Sequence, residues 1–235
     1  MRGAILWLNG WGMTNDVFQK AQGEFSDYVH LCPDFSDVTD EDQFYEKALR
    51  ALNEKPPKLP LVVIGWSMGG ILAQRLACEL QVSALVLISS TPCFVRSKEE
   101  AELGWADGYL RQMQFALKRN RDKVVADFRQ AMFTADERMT VEYLEFSAAD
   151  HWSLDALIAG LSFLRKQDVR PLLPHISCPA LIVHGTADTI CPVLAAEEMA
   201  KGIARAQLVP FIGCGHVPFV ARERDFLKQI REVLP

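Results

Sequence analysis

The sequence predicts an α/β fold: a mostly parallel sheet of about six strands, with helices on both faces and a helical cap inserted late in the strand series. Three observations carry this. Short runs rich in Val, Ile and Leu alternate with segments of helical apolar spacing, the pattern of a sheet buried on both faces. Several of those runs end at once in turn residues. After Pro92 the strand signal stops until about Asp168, so roughly 75 residues read as helices instead.

The expected strands cover residues 4–8, 29–32, 61–65, 84–89, 180–185 and 206–211. Behind the third, Leu72, Leu76 and Leu80 with Ala73 and Ala77 form one apolar face, which predicts a buried helix starting near Met68. The late helical stretch divides into helices over 110–129, 140–149 and 154–165. A helix is expected from near Pro192. Pro218, at a first helical position, opens a last one whose Phe219, Phe226, Ile230 and Val233 should cover the sheet's edge. Residues 1–91 and 169–235 then form the core, and 92–168 the cap.

Composition fits one domain with an insertion. The chain has 235 residues, 49% of them hydrophobic, enough for a single buried core. A net charge of −5 argues against general nucleic-acid binding. The apolar run at the amino terminus stops at Asn9-Gly10, too short for a signal peptide or for the ~20 residues of a membrane span. No membrane role is expected, and the cytoplasm is the expected compartment. The six cysteines are scattered with no CxxC pair, so reduced core thiols are expected, with no metal site and no cofactor.

Gly65-Trp66-Ser67-Met68-Gly69-Gly70 lies between the third strand and its helix. A sharp strand-to-helix turn lifts a serine hydroxyl to the top of a sheet, and it needs glycines close by for steric reasons. Read alone, the motif is also compatible with a glycine-rich helix start. A serine nucleophile needs a base, and the base an acid. Of the five histidines, His216 lies in a glycine-punctuated loop after the last strand, at the end of the sheet where α/β folds place ligands. His184, at the end of a strand, reads as a core residue; His30, His151 and His175 have no such setting. Asp188 follows the fifth strand. It could cap the next helix, but the order Ser67, Asp188, His216 is that of a nucleophile, acid and base on successive strand-end loops. The amides of Met68 and Trp11 are the candidate oxyanion donors, and the Trp11 indole a candidate wall of the acyl pocket. A tight turn with a core tryptophan is the plainer reading of Asn9-Gly10-Trp11-Gly12.

Together these residues resemble the α/β-hydrolase family over essentially the whole chain, which implies the α/β-hydrolase fold and a Ser67, Asp188, His216 triad. More narrowly, the elbow, Ser89-Ser90-Thr91-Pro92-Cys93-Phe94, Asp168-Val169-Arg170-Pro171-Leu172 and His216-Val217-Pro218-Phe219 resemble the pimeloyl-acyl-carrier-protein methyl ester esterases of biotin synthesis. That resemblance implies a cytoplasmic serine carboxylesterase. It places Phe128 at a position like that of a phenylalanine lining the family's substrate tunnel, and it makes Arg111, Arg119 and Arg121 the candidates for the family's substrate- and carrier-contacting arginines. Two departures stand out: Asn9 replaces the family's usual histidine, and the chain begins at what is normally the third strand.

Residues 111–129 hold six cations against two anions, a local charge of +4. Such a segment would steer an acidic acyl carrier protein. It is equally an ordinary solvated face with Lys118 and Asp122 paired at i, i+4. The small acyl ester could instead be a lactone or thioester, and a non-catalytic binding protein on the same fold is the reading of a different class.

Overall fold

The computed structural model describes residues 1–140, 143, 146 and 151–235. Six strands form one all-parallel sheet: β1 (Ala4–Leu8), β2 (Val29–Leu31), β3 (Leu61–Trp66), β4 (Ala84–Ile88), β5 (Ala180–Gly185) and β6 (Ala206–Phe211), in the order β2-β1-β3-β4-β5-β6. All six lie where the apolar runs predict them. Every residue of β1, β3, β4 and β5 is buried, because helices cover both faces, and this is why these runs do not alternate. The order of connection reverses between β1 and β3, the place at which open α/β sheets bind ligands outside the strands' carboxyl ends.

The helices are α1 (Gln19–Glu24), α2 (Asp42–Leu52), α3 (Met68–Glu79), α4 (Asp107–Arg119), α5 (Arg121–Ala131), α6 (Leu154–Lys166), α7 (Val193–Gly202), α8 (Pro218–Ala221) and α9 (Glu223–Val233). The sequence reading names no helix at α1 or α2. In α2, Phe44 and Ala48 are buried, and the Asp40 carboxylate accepts the amides of Asp42 and Gln43, a cap worth about 1 kcal/mol. Phe44 packs against Phe35, Trp152 and Phe163, which joins α6 to the sheet layer.

The single helix expected over 110–129 is two. Asn120 leaves helical geometry (φ −155°, ψ 84°) and its side chain accepts the Lys123 amide, ending α4 and capping α5. The break also removes the Lys118–Asp122 pair: Asp122 meets Arg121, and the i, i+4 pair is Lys123–Asp127. The last helix is likewise broken, at Arg222 (φ −133°, ψ 49°). It does not fully cover the β6 edge of the sheet. Phe219 packs on Phe18, Trp66 and Phe226 over the sheet's face, while the edge strand β6 stays partly exposed. The helix expected over 140–149 lies, apart from residues 140, 143 and 146, outside the described residues.

The chain leaves β4 and returns towards β5 at one place. Cys93 bridges Asp168, and the Val169 amide donates to the Pro92 carbonyl at 2.8 Å. Four cysteines are buried, but Cys32 is exposed and Cys78 half-buried, so the expectation of core thiols fails for these two. Among the described residues no helix is long and apolar enough to cross a membrane.

Candidate active site

Ser67 sits between β3 and α3 with φ 56° and ψ −121°, the left-handed region that a side chain adopts only under strain. Its neighbours explain how the turn survives. A Cβ on Gly65 would come within 2.4 Å of the Gly69 carbonyl oxygen, and one on Gly69 within 2.1 Å of the Leu8 carbonyl oxygen. A Cβ on Gly70 would meet the Ser90 hydroxyl at 2.2 Å. The three glycines thus let β1, the elbow and the end of β4 touch. The Ser67 amide donates to the Ile88 carbonyl at 2.9 Å, and the Ser90 hydroxyl to the Ser67 carbonyl at 2.8 Å. Every polar group of the elbow backbone named here is engaged, leaving the Ser67 side chain as its projecting group.

The loops after β5 and β6 bring Asp188 and His216 together. His216 Nδ1 donates to Asp188 Oδ2 at 2.7 Å, with both side chains fully buried. Asp188 Oδ1 accepts the amides of Ile190 at 2.8 Å and Cys191 at 3.0 Å, so one oxygen is fixed by backbone and the other faces the imidazole. The helix-capping alternative for Asp188 therefore describes only half of its carboxylate. With Nδ1 committed, the remaining ring nitrogen, Nε2, is buried and has no hydrogen-bond partner among the described residues. Close contact of the two loops demands a further glycine: a Cβ on Gly185 would lie 2.0 Å from the Gly215 carbonyl oxygen. Trp66 joins the elbow to the His216 loop, donating from its indole to the His216 carbonyl at 3.0 Å.

The loop after β1 runs against the elbow, since a Cβ on Gly10 would meet Ser67 Cβ at 3.2 Å. Asn9, in place of the family's histidine, donates to the Met13 and Gly10 carbonyls and so closes the loop with its own side chain. The Trp11 indole donates to the Leu157 carbonyl at 2.8 Å and meets the Phe128 ring edge-on at 4.9 Å. It fills a notch at Gly160, where a Cβ would come within 2.5 Å of it. Met68 begins α3, where the amide has no acceptor within the helix and the helix dipole favours negative charge.

The cap arginines stand apart from this cluster in their contacts. Arg111 pairs with Asp107 at 2.8 Å on an exposed face of α4, and Arg119 is exposed at its end. Arg121 donates to the Trp152 carbonyl at 3.1 Å and pairs with Asp122, which ties the start of α5 to the chain before α6. Sequence reasoning singled out Asn9 but missed Ser90 and Trp66 as builders of the site. The Ser-Ser pair after β4 was the available signal for the first.

The sequence pattern of the alpha/beta hydrolase family matches residues 5–229. A pimeloyl-[acyl-carrier protein] methyl ester esterase of Nitrosomonas europaea is 32% identical, with 95% of this chain and 92% of that protein covered. One of Chromobacterium violaceum bearing the same name is 28% identical over 98% and 93%. Among solved structures, an esterase from Exiguobacterium antarcticum superposes with a TM-score of 0.84 at 22% identity, covering 99% of this chain and 91% of that one. A bromoperoxidase from Bacillus anthracis reaches 0.86 at 17% identity, covering 99% and 92%. Likeness at these identities speaks for the fold alone.

Proposed function

The chain belongs to the alpha/beta hydrolase family, and we propose that it is a serine carboxylesterase acting through an acyl-enzyme, with Ser67 as nucleophile, His216 as base and Asp188 as orienting acid. One observation carries the reading: a buried His216–Asp188 pair at 2.7 Å that leaves His216 Nε2 uncommitted, on a loop tied through the Trp66 indole to the strained, glycine-walled turn that carries Ser67. His216 Nε2 takes the Ser67 proton as Oγ attacks the ester carbonyl. The amides of Trp11 and Met68 stabilise the oxyanion, and the alcohol leaves with the proton from His216. Water, activated by the same nitrogen, then releases the acid and restores Ser67. Asp188 fixes the imidazole tautomer and stabilises its charged form. These steps use no cofactor or metal.

The helical segment between β4 and β5 acts as the cap. The Cys93–Asp168 bridge supports its expected limits, 92–168, and the Trp11–Phe128 contact supports Phe128 as part of the acyl pocket. For the substrate, the names of the relatives favour a pimeloyl-acyl-carrier-protein methyl ester. The basic segment 111–129 supports docking of an acidic carrier. Within it Lys118 and Arg119 form no ion pair among the described residues, which narrows the docking site to the α4–α5 junction.

Ser67→Ala tests the chemistry: it abolishes turnover of a short p-nitrophenyl ester and labelling by a fluorophosphonate while leaving the fold intact. Retained turnover would refute it. For the substrate, the gene restores biotin-independent growth to a strain lacking the pimeloyl ester esterase; no growth, from a soluble and active protein, refutes that narrower reading.

A further inference from the structure

We propose that Glu137 is a positioning residue for the base: its carboxylate holds the amide just before His216 and so sets the register of the imidazole. This rests on the triad reading above.

The loop between β6 and α8 is held from the core through two carbonyls, that of Cys214, which accepts the Ala187 amide at 2.9 Å, and that of His216, which accepts the Trp66 indole at 3.0 Å. Gly213 has φ 75° and donates to the Thr186 hydroxyl at 2.9 Å, and the Cys214 amide reaches the Phe211 carbonyl at 3.2 Å. The next two amides go to the cap. Gly215 N–H donates to Glu137, at 3.0 Å to Oε1 and 3.2 Å to Oε2, and His216 N–H donates to the Met132 carbonyl at 2.7 Å. Gly215 permits this approach, because a Cβ there would lie 2.6 Å from the Met132 carbonyl oxygen and 2.8 Å from Glu137 Oε2.

Glu137 is itself fixed. Oε2 accepts the Thr134 amide at 2.8 Å, and the Glu137 amide donates to the Thr134 hydroxyl at 3.2 Å, a reciprocal capping pair. Local capping needs only the Thr134 contact. It leaves unexplained why the same carboxylate also takes the amide just before the base, with the strength of a hydrogen bond to an ionised acceptor. The acid's loop touches the same stretch, through Thr189 Oγ1 to the Ala131 carbonyl at 3.3 Å. Residues 131–137 thus grip the loops of both acid and base, the latter through the Met132 carbonyl on the His216 amide and through Glu137 on the amide before it.

The test separates reach from charge. Glu137→Gln keeps the reach and one acceptor at the Oε2 position, 2.8 Å from the Thr134 amide and 3.2 Å from that of Gly215, but loses the charge and the closer Gly215 acceptor, Oε1 at 3.0 Å. Glu137→Asp keeps the charge and loses the reach. In the full chain, kcat and KM for a p-nitrophenyl ester and the rate of fluorophosphonate labelling are measured with both, with Glu137→Ala, and with Ser67→Ala as control. The expected result is a fall of about 10- to 100-fold in kcat and labelling together for Asp and Ala, with KM within about twofold, since a misplaced base costs on this scale. Gln, which keeps one of the two Gly215 acceptors, falls less than Asp. If Ala does not fold, the Asp–Gln contrast decides. An unimpaired Asp variant, a Gln variant as poor as Asp, or a loss confined to KM overturns the proposal. Turnover by Ser67→Ala would instead remove the triad reading beneath it.

Discussion

His184 Nε2 lies 3.5 Å from Asp188 Oδ2, the same oxygen that accepts His216 Nδ1. Its closer partner is the Cys191 carbonyl at 2.7 Å, which accepts and so places the proton on Nε2. Two imidazoles therefore converge on one carboxylate, one committed to the backbone and one to the acid.

Burial holds the His184 pKa below its ordinary value, outweighing the attraction of Asp188. The unfolded chain takes up this proton near pH 6.5 and the folded one resists it. The contribution to stability is therefore complete above that pH and is lost as pH falls. Half-buried His30 is depressed by burial with the same sign. Asp107 and Asp168, lowered by their hydrogen bonds to Arg165 and Arg170, lose their contributions only near and below ordinary carboxylate values. Thermal unfolding is expected to show Tm declining from pH 7 to pH 5, with a shallower decline in His184→Asn. An equal slope in parent and variant would count against this.

Two glycine-to-alanine changes should move stability in opposite directions. Gly69→Ala drives a methyl to within 2.1 Å of the Leu8 carbonyl oxygen and forces β1 and the elbow apart. A cost of about 2–5 kcal/mol in urea unfolding is expected. Gly23 in α1 has nothing within 4 Å of an added Cβ, and alanine there gains about 0.5–1 kcal/mol.

Arg96 is fully buried, donates to the Cys93 carbonyl at 2.8 Å, and pairs with Glu198 and Glu100. Glu100 also meets Arg170 at 3.0 Å, so the network fastens the start of the cap to α7 and to the chain returning from it. Both glutamates are partly exposed, which lessens the cost of orphaning them. Arg96→Met is expected to destabilise by about 2–3 kcal/mol in denaturant unfolding.

Reversing Lys118 and Arg119 to Glu should leave turnover of a p-nitrophenyl ester unchanged. It should lower kcat/KM for an ester carried on acyl carrier protein about tenfold at low salt, with the difference shrinking as ionic strength rises. Equal kinetics on both substrates in parent and variant would remove the carrier from the α4–α5 junction.

The sheet was legible because its four inner strands are buried on both faces, so a few consecutive apolar residues suffice to mark each of them. Ser67, Asp188 and His216 stood out as candidates because each follows such a run. What local periodicity hides is where a helix stops when its apolar stripe does not. Asn120 ends α4 through one side-chain hydrogen bond, and Arg222 breaks the last helix by backbone geometry alone. Nor does spacing along the chain reveal partners from distant segments. Glu137 lies 78 residues from Gly215, and Trp11 146 from Leu157. Arg111 had the right charge in the right segment, yet Asp107, one helical turn away, takes it up.

The notch at Gly160 bears on the engineering of this protein. The Trp11 indole from the core is seated in α6, held by the Leu157 carbonyl. A helical layer transplanted from another hydrolase to alter selectivity would arrive without that socket unless it carried a glycine and a carbonyl in register. A chimera built at the 92 and 168 junctions therefore needs its donor chosen by this socket before substrate preference.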